Sequence, residues 1–484
     1  MPAINGKQYI DRIDALSANI WYNGRKVTGK LSEHPAFKGV MHETARLFDL
    51  QTAPETKDIL TGPSEYTGNP VGRAYIPPRT KEDLELRREA VRIWATESCG
   101  MLGRSPDYMN TALMALGTAS DILKEEDEQS AENLLNYYKY AMENDLTLTH
   151  TFIMPQVNRS QFYSETDGPI IGARMIDQTD EGIIVHGARL LATQGATTDE
   201  LLVFPSGARL PYIKASESMA YAFAIPNNTP GLTFVCRESF VGGESRFDHP
   251  LSSRFEEMDT IVLFDHVLVP WERVFLHGNI DVNNRIYHDS HFYPLTSHQV
   301  INKNIAKVEF LLGLIQAMID EINIGEYQHI HEKVSEVIIA LETLKGLVYS
   351  SEKNAALNAF GVMVPDWKPL QVAGIYFAKT YPRLIEIIKL IGASGLVSIP
   401  TESDFRSPIG DDLRHYLQSA KGNGEEKVRL FRLAWDISMS AFATREELYE
   451  RYFFGDPVRL VSLLYHTYDR SDIVERVRNF LKRK

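Results

Sequence analysis

The sequence predicts a mainly α-helical protein with a central β domain. Apolar residues recur at helical spacing up to about residue 140 and again from about residue 295 to the end. Between about 150 and 275, short apolar runs separated by turn residues predict a β-barrel or sandwich. A chain of 484 residues is too long for one compact core. We therefore predict an N-terminal helical domain over 1–145, a middle β-barrel domain over 146–278 and a C-terminal four-helix bundle over 279–484.

The N-terminal helices are predicted from their start signals and their apolar spacing. Thr80 followed by Asp83 is a capping-box pattern, in which each side chain accepts the other residue's backbone N–H. Leu84, Val91 and Ala95 then recur on one helical face. This pattern indicates a helix that begins just after Thr80.

The C-terminal bundle is predicted from three heptads. Apolar residues alternate in steps of four and three at Ile330, Val334, Val337, Leu341, Leu344 and Val348. Such a repeat is typical of a helix buried along a left-handed bundle seam. Further long helices are expected over 370–390 and 427–453. The apolar heptads of 330–348 offer more bundle surface than one chain needs, which predicts a homotetramer or at least a dimer.

Charge and cysteine content narrow the class of protein. The chain carries 51 basic and 64 acidic residues, a net charge of −13, which disfavours nucleic acid and anionic lipid as partners. We find no apolar run that approaches the roughly 20 residues of a membrane-spanning helix. The two cysteines, Cys99 and Cys236, are too few for a disulfide scaffold, so we expect a cytoplasmic protein.

No GxGxxG motif follows a predicted strand, so the sequence shows no Rossmann site for a nicotinamide cofactor. P-loop and HExxH zinc motifs are missing as well. If the protein uses reducing power, it must receive the electrons from another component.

The segment 103–110, GRSPDYMN, carries the first candidate site. Pro106 after Ser105 indicates a helix start, and Arg104 and Tyr108 lie four residues apart, so both can face one pocket. A fixed cation beside hydrogen-bonding groups stabilises an anionic oxygen such as a phenolate. The alternative is a helix cap with a surface arginine and a packed tyrosine.

Two further candidates lie where the helical segment meets the β segment. His150 can exchange a proton near neutral pH, although a structural histidine at a domain interface would look the same. Thr193, in the run of small residues at 187–200, can present a hydroxyl to a flat cofactor ring. A polar hairpin loop is an equal alternative for that run.

Two features near the C-terminus are also ambiguous. The turn 392–395, GASG, can hold a phosphate, but a helix C-cap with Gly392 in the left-handed conformation is favoured. The aromatic turn 452–457, YFFGDP, ends a helix and can be explained by packing alone.

Five separated motifs together resemble one family over nearly the whole chain. They are RSPDYMN at 104–110, LTHTFIMPQVNRS at 148–160, GARLLATQGATTDE at 187–200, FDHVLVPWERVF at 264–275 and YERYFFGDPVR at 449–459. In sequence and in order they resemble the large, oxygenase component of two-component flavin-dependent phenol hydroxylases of the 4-hydroxyphenylacetate 3-monooxygenase type.

The resemblance implies an acyl-CoA dehydrogenase-like fold, a homotetramer and ortho-hydroxylation of a phenol. It implies O2 and free reduced FAD as reactants, with the flavin supplied by a separate flavin reductase. The implied catalytic residues are Arg104, Tyr108 and His150, which also bind the phenol. Implied flavin contacts are His150, Gln156, Val157, Asn158, Arg159, Thr193, Tyr452, Phe453, Phe454 and Gly455. The substrate's tail is placed at Pro205 and Ser206, where the proline departs from the hydroxyl residues that the family uses.

Three alternatives remain open beside this interpretation. A lyase resembling 4-hydroxybutyryl-CoA dehydratase needs a [4Fe–4S] cluster held by three cysteines and a histidine, and the chain has two cysteines. An acyl-CoA dehydrogenase needs a carboxylate base that we do not place. An oligomeric flavin carrier does not need Arg104, Tyr108 and His150. Among hydroxylases, the sequence leaves the identity of the phenol open.

Overall fold

The computed structural model describes residues 3–151, 153–155, 170–206 and 209–483. The N-terminal part is helical, as predicted. Its helices are α1 (Gly6–Ala15), α2 (Lys38–Thr52), α3 (Lys57–Leu60), α4 (Lys81–Glu97), α5 (Pro106–Thr118) and α6 (Glu128–Glu143). The capping box at α4 is confirmed, because Thr80 Oγ1 accepts from the Asp83 N–H at 3.1 Å and Asp83 Oδ2 accepts from the Thr80 N–H at 2.9 Å.

The middle of the chain forms two sheets. The six-stranded sheet has the order β2-β1-β10-β11-β7-β6, and the four-stranded sheet has the order β12-β9-β8-β5. Their strands are β1 (Ile20–Tyr22), β2 (Arg25–Lys26), β5 (Leu148–Thr151), β6 (Arg174–Gln178), β7 (Gly182–Thr193), β8 (Glu200–Val203), β9 (Tyr221–Pro226), β10 (Leu232–Cys236), β11 (Asp259–Pro270) and β12 (Val274–His277). Within the described ranges the strands pair as two separate sheets and do not close into a barrel. Side chains of both sheets share one core, for example Phe223 and Phe264, so the arrangement is the sandwich of the two predicted alternatives.

Two smaller strand pairs lie outside these sheets. They are β3 (Thr61–Pro63) with β4 (Pro70–Gly72), and β13 (Ala356–Leu357) with β14 (Met363–Val364). Each is a short antiparallel ribbon next to a helical segment.

The C-terminal part is a helical bundle followed by two outer helices. Its helices, with a short α7 (Ser252–Phe255) before them, are α8 (Ile280–Asp289), α9 (Phe292–Glu321), α10 (Gln328–Lys353), α11 (Trp367–Gly392), α12 (Glu402–Phe405), α13 (Gly410–Tyr416), α14 (Gly424–Ser438), α15 (Ala441–Tyr452), α16 (Pro457–Thr467) and α17 (Ser471–Leu481). Helices α9, α10, α11 and α14 pack together as the bundle.

The heptads predicted in α10 are buried as expected. Five of the six apolar positions are buried, and Val334 is partly buried against the same core. At the end of α11 the C-cap interpretation is correct, but Gly392 is right-handed and Ala393 takes the positive φ of 43°. In the part of the chain that the structure describes, we find no helix long and apolar enough to cross a bilayer.

The fold places one helix at the centre of the molecule. Helix α5 is buried along twelve of its thirteen residues and packs against α6, α9 and strand β5. Strand β5 lies beside β8 in one sheet and also contacts β7 of the other. The start of α5, the middle of β5 and the end of β7 therefore meet in one region.

Candidate active site

Arg104 precedes α5, and its guanidinium lies among aromatic rings. Its Cζ atom is 4.5 Å from the ring centroid of Tyr108, 4.6 Å from that of Phe453 and 5.7 Å from that of Tyr449. Among the described residues, Nε and Nη1 of Arg104 are buried and have no hydrogen-bond acceptor. Buried donors without an acceptor are costly, so the arrangement fits a ligand that brings an anionic oxygen to this position.

The backbone of this segment is held by a buried carboxylate. Glu257 accepts from the Gly103 N–H at 3.1 Å and from the Arg104 N–H at 2.7 Å. Gln194 Nε2 donates to Glu257 at 2.9 Å and to the Arg104 carbonyl at 3.2 Å. Because Glu257 binds the backbone of Arg104, it fixes the residue in place while the guanidinium stays available.

Gly103 is required by the packing of Tyr449. A Cβ atom at Gly103 would lie 2.4 Å from both Cε1 and Oη of the Tyr449 ring. Real Cβ contacts are never this close, so a glycine here lets Tyr449 of α15 approach the Arg104 segment. Sequence analysis did not single out Tyr449 or Glu257.

His150 lies next to this group in the middle of β5. It is only 8% exposed, and its ring centroid is 6.0 Å from that of Tyr108. Burial and the positive charge of Arg104 hold the pKa of His150 well below its ordinary value of 6.5. The imidazole is therefore neutral near pH 7 and offers one N–H donor and one acceptor nitrogen. The predicted set of Arg104, Tyr108 and His150 is brought together.

Thr193 ends β7 and is tied to a charged network. Its Oγ1 donates to Asp259 Oδ1 at 2.7 Å, and its carbonyl accepts from Thr149 Oγ1 at 2.8 Å. Asp259 also accepts from Arg445 Nη2 at 2.8 Å and from Arg237 Nε at 3.0 Å. Burial alone would raise the pKa of Asp259, but the two guanidiniums lower it far below the ordinary carboxyl value.

The small residues around Thr193 have a structural explanation. A Cβ at Gly195 would lie 2.6 Å from Thr260 Oγ1 and 2.7 Å from the Phe234 ring. The glycine is therefore required by packing inside the protein. Thr193 is the candidate that the sequence singled out in this run, and its Oγ1 donates to Asp259.

The aromatic turn at 452–455 reaches the same region from α15. Phe453 lies edge-on to Tyr108 with ring centroids 5.4 Å apart, and it packs on Tyr449 and on Phe454. Tyr452 is half exposed, and Gly455 has a φ of +111°, which favours glycine. Helix α15 and its C-cap residue thus provide the rings of Tyr449 and Phe453 that lie beside Arg104. The same helix provides Arg445, which binds Asp259.

A buried ion cluster fixes α15 to the bundle. Lys303 Nζ lies 2.6 Å from Glu450, and Lys307 Nζ lies 2.8 Å from Glu446 and 2.5 Å from Glu450. All four side chains are almost fully buried. Breaking such a cluster costs about 3–5 kcal/mol because a charge is left buried and unpaired, so the cluster sets the position of α15.

The remaining predicted contacts are only partly described. The Pro205 carbonyl accepts from Tyr287 Oη at 2.7 Å, and Ser206 follows at the edge of the described residues. Gln156, Val157, Asn158 and Arg159 lie outside the described residues. Their predicted role in flavin binding stays a prediction.

Comparisons with known proteins identify the family to which the chain belongs. Two family models match, "4-hydroxyphenylacetate 3-hydroxylase N terminal" over residues 5–276 and "4-hydroxyphenylacetate 3-hydroxylase C terminal" over residues 283–482. A probable 4-hydroxyphenylacetate 3-monooxygenase of Bacillus subtilis (strain 168) is 49% identical over 481 residues, 99% of each chain.

Solved structures show the same fold. The crystal structure of the oxygenase component HpaB of 4-hydroxyphenylacetate 3-monooxygenase, complexed with FAD and 4-hydroxyphenylacetate, is 44% identical. It superposes with a TM-score of 0.94 over 99% of this chain and 98% of that chain. An archaeal 4-hydroxybutyryl-CoA dehydratase from N. maritimus is 21% identical with a TM-score of 0.88, covering 99% and 94% of the two chains, which shows a shared fold.

Proposed function

The chain belongs to the 4-hydroxyphenylacetate 3-hydroxylase family, and on that premise we propose that it hydroxylates a phenol at the ortho position with O2 and reduced FAD. The substrate favoured by the relatives is 4-hydroxyphenylacetate, which would give 3,4-dihydroxyphenylacetate. The observation that carries the proposal is the guanidinium of Arg104, whose buried Nε and Nη1 have no acceptor among the described residues. A phenol oxygen supplies that acceptor.

The phenol is activated by its surroundings. The positive charge of Arg104 favours the phenolate, since a nearby cation lowers the pKa of an acid. The neutral His150 can take the phenol proton on its acceptor nitrogen, and Tyr108 lies within the same cluster. A phenolate is electron-rich at its ortho carbon, which is the position that an electrophilic oxygen attacks. The rings of Tyr108, Tyr449 and Phe453 keep water away from the guanidinium.

The described residues also fit a bound flavin, which supplies the oxygen chemistry when present. Thr193 offers a fixed hydroxyl, and the turn 452–455 offers aromatic rings and a glycine backbone. A series of direct contacts joins the two, from Thr193 through Asp259, Arg445 and Tyr449 to Phe453. We propose His150, Thr193, Phe453, Phe454 and Gly455 as flavin contacts, with Tyr452 and the segment 156–159 completing the site.

The lyase alternative is not supported by the cysteines. Both Cys99 and Cys236 are free thiols, and burial raises their pKa values to about 11 and about 12. High thiol pKa values disfavour metal ligation, which needs the thiolate. The two cysteines are also one too few for the cluster of that class.

The proposed function predicts a strict need for supplied reduced flavin. The purified chain with NADH, FAD and 4-hydroxyphenylacetate should form no catechol, because the sequence carries no nicotinamide-binding motif. Adding a flavin reductase should start the reaction, and a panel of phenols followed by chromatography would identify the preferred substrate. Catechol formation from NADH without a reductase would contradict a two-component system.

We propose that the chain assembles into a homotetramer through its last two helices. Every residue of α16 and α17 is at least partly exposed, and the apolar ones include Val458 at 78% and Phe480 at 68%. In α17, Ile473, Val477 and Phe480 share one face at helical spacing. Monomers rarely expose apolar stripes of this size, and a second copy of the chain would cover them.

Assembly can be tested by weakening that stripe. The wild-type protein should scatter light as a tetramer at micromolar concentration, and the double variant Val477→Ser, Phe480→Ser should dissociate to smaller species. The exposed Leu357→Ser, which lies on the ribbon of β13 and β14, serves as the control and should keep the tetramer. A wild-type monomer would contradict the proposal.

We place the protein in a reducing cytoplasm. Its two cysteines are free thiols, and an extracellular chain of this size would more often pair them. The net charge of −13 also fits a soluble enzyme that meets its reductase only through diffusing flavin.

A further inference from the structure

A second group of polar side chains lies where three elements of the fold meet. Glu126 and Asp127 join the short 3-10 helix Ser120–Glu125 to α6, and His277 ends β12 shortly before α8. One ligand atom from each of these three side chains lies within 4.8 Å of the other two. Hydroxylation at the proposed active site uses none of them.

Two atoms of this group are buried and unsatisfied. Glu126 Oε2 and His277 Nδ1 have no hydrogen-bond partner among the described residues. The Glu126 side chain is only 7% exposed, and in the described ranges its one ion pair is with His277. By contrast, the buried Glu200 faces the guanidinium of Arg273 at 2.6 Å. A buried carboxylate without a fixed cation is costly, so the position of Glu126 fits a cation that binds from solution.

The chemistry and the spacing of these groups suit a transition-metal ion. Zn²⁺ binds imidazole nitrogens and carboxylate oxygens at about 2.0–2.2 Å in a tetrahedron, which places neighbouring ligand atoms about 3.3 Å apart. His277 Nδ1 lies 3.2 Å from Glu126 Oε1, although His277 Nδ1 forms no hydrogen bond. Asp127 is held in place as the N-cap of α6, where its Oδ1 accepts from the Ser130 N–H at 2.7 Å and keeps a second lone pair. Water can take the fourth position.

We propose that Glu126, Asp127 and His277 form a structural site for a divalent transition-metal ion, with Zn²⁺ as the best match. Their two carboxylates outweigh the partial positive charge at the start of α6. The ion takes no part in the hydroxylation. It joins the start of α6 to the end of β12, two elements that lie far apart in the chain.

The link bears on α8, which begins at Ile280, directly after β12. Asn284 of α8 accepts from the Leu210 N–H at 2.7 Å and donates to the Leu210 carbonyl at 2.9 Å. Tyr287 of the same helix donates to the Pro205 carbonyl. A bound ion that fixes the start of α8 therefore also steadies the backbone at Pro205, where the tail of the substrate is predicted.

The direct test is the metal affinity of the purified, flavin-free chain. After dialysis against a chelator, calorimetric titration with ZnCl₂ should show one Zn²⁺ bound per chain with a micromolar or tighter dissociation constant. Glu126→Gln removes an anionic ligand, and His277→Phe removes the ligand nitrogen but keeps a ring that can pack on Trp271. Each variant should bind Zn²⁺ at least about tenfold more weakly, since the loss of even a supporting partner of a ligand costs 10–100-fold.

Hydrogen exchange gives a structural readout, and another histidine gives the control. Zn²⁺ should slow the exchange of the backbone amides of α8 in wild type and in neither variant. His186 forms a second histidine–carboxylate group with Asp265 and His266, in which the Asp265 side chain is 79% exposed. His186→Phe should therefore bind Zn²⁺ as tightly as wild type.

A third variant covers the case in which a substitution prevents folding. Asp127→Asn removes a charge but keeps the helix cap, because asparagine also caps helices, and it should weaken Zn²⁺ binding as well. The inference is overturned if wild type binds no Zn²⁺ at micromolar concentration, if the folded variants of this site bind it as wild type does, or if His186→Phe alone loses it. None of these measurements needs turnover, so they are independent of the proposed function.

Discussion

Replacing Arg104 with methionine should lower the rate of phenol hydroxylation by about 10²–10³-fold, the usual effect of removing one preorganised electrostatic group. Methionine keeps an unbranched, flexible side chain that can pack on the neighbouring rings. It is shorter than arginine and removes the guanidinium that lies over Tyr108 and Phe453. Without the charge, the bound phenol keeps its proton and its ortho carbon loses electron density. Substrate affinity should also decrease, because the variant lacks the guanidinium donors Nε and Nη1. These donors have no acceptor among the described residues and would bind the phenol oxygen.

Ionisation of the bound ligand can be followed directly. A coloured phenol such as 4-nitrophenol should titrate at lower pH when bound to wild type than in free solution, and Arg104→Met should abolish this shift. Lys139→Met is the control, because Lys139 lies 4.6 Å above the Tyr66 ring in a cation–aromatic contact outside the site. The control should hydroxylate at the wild-type rate. If the bound phenol titrates at the same pH in Arg104→Met as in wild type, Arg104 does not contact the phenol oxygen.

Local signals allowed the fold class and most helices to be predicted. The capping box at Thr80 and the heptads of α10 depend on neighbours within one or two turns, and both were confirmed. The strands β1 and β2 were not predicted, because three and two residues carry too little pattern. Strand β1 pairs in parallel with β10, more than 200 residues away in the chain. Residues 20–22 therefore form a strand because of that distant partner and not because of their own sequence.

The ligand-facing residues were easier to predict than the residues that hold them. Arg104 and Tyr108 are one helical turn apart, so their proximity could be deduced from spacing. Glu257 lies more than 150 residues from Arg104, and Arg445 lies more than 180 residues from Asp259. No periodicity connects such pairs. They are recognised only once the sheet and α15 are in place, as contacts between buried charges.

One supporting cluster did carry a sequence signal. Lys303 and Lys307 lie four residues apart in a helix whose other residues are mostly apolar, and Glu446 and Glu450 repeat that spacing in α15. Lysine and glutamate are almost never buried without a partner. Matching the two spacings would have predicted that these lysines of α9 pair with these glutamates of α15.

His150→Ala should reduce product formation by about 10²-fold or more, the usual size of an acid–base contribution, and should uncouple the reaction. The reaction of reduced flavin with O2 does not need the imidazole, so NADH and O2 are still consumed and hydrogen peroxide accumulates in place of catechol. The chain should fold, because the ring lines a site and its loss leaves the contacts of β5 with β8 intact. The ratio of catechol formed to O2 consumed measures the effect.

The protonation state of His150 gives an independent test on stability. Because its pKa in the folded protein lies well below 6.5, the unfolded chain binds an extra proton as the pH falls below 6.5, and wild type loses stability there. His150→Asn lacks this proton uptake. Denaturant titration should therefore show that wild type exceeds the variant in free energy of unfolding by less at pH 5 than at pH 7. The size of this change is about 1.4 kcal/mol for each unit by which folding lowers the pKa of His150.

The control for the ratio of catechol to O2 is His298→Gln. His298 is equally buried, but it contacts Glu352 at 2.8 Å between α9 and α10, away from Arg104. Its loss should lower stability and leave the ratio of catechol to O2 unchanged in the molecules that remain folded. If His150→Ala hydroxylates with wild-type rate and coupling, His150 has a structural role. If the variant fails to fold while His298→Gln folds, His150 holds the contact between β5 and α5.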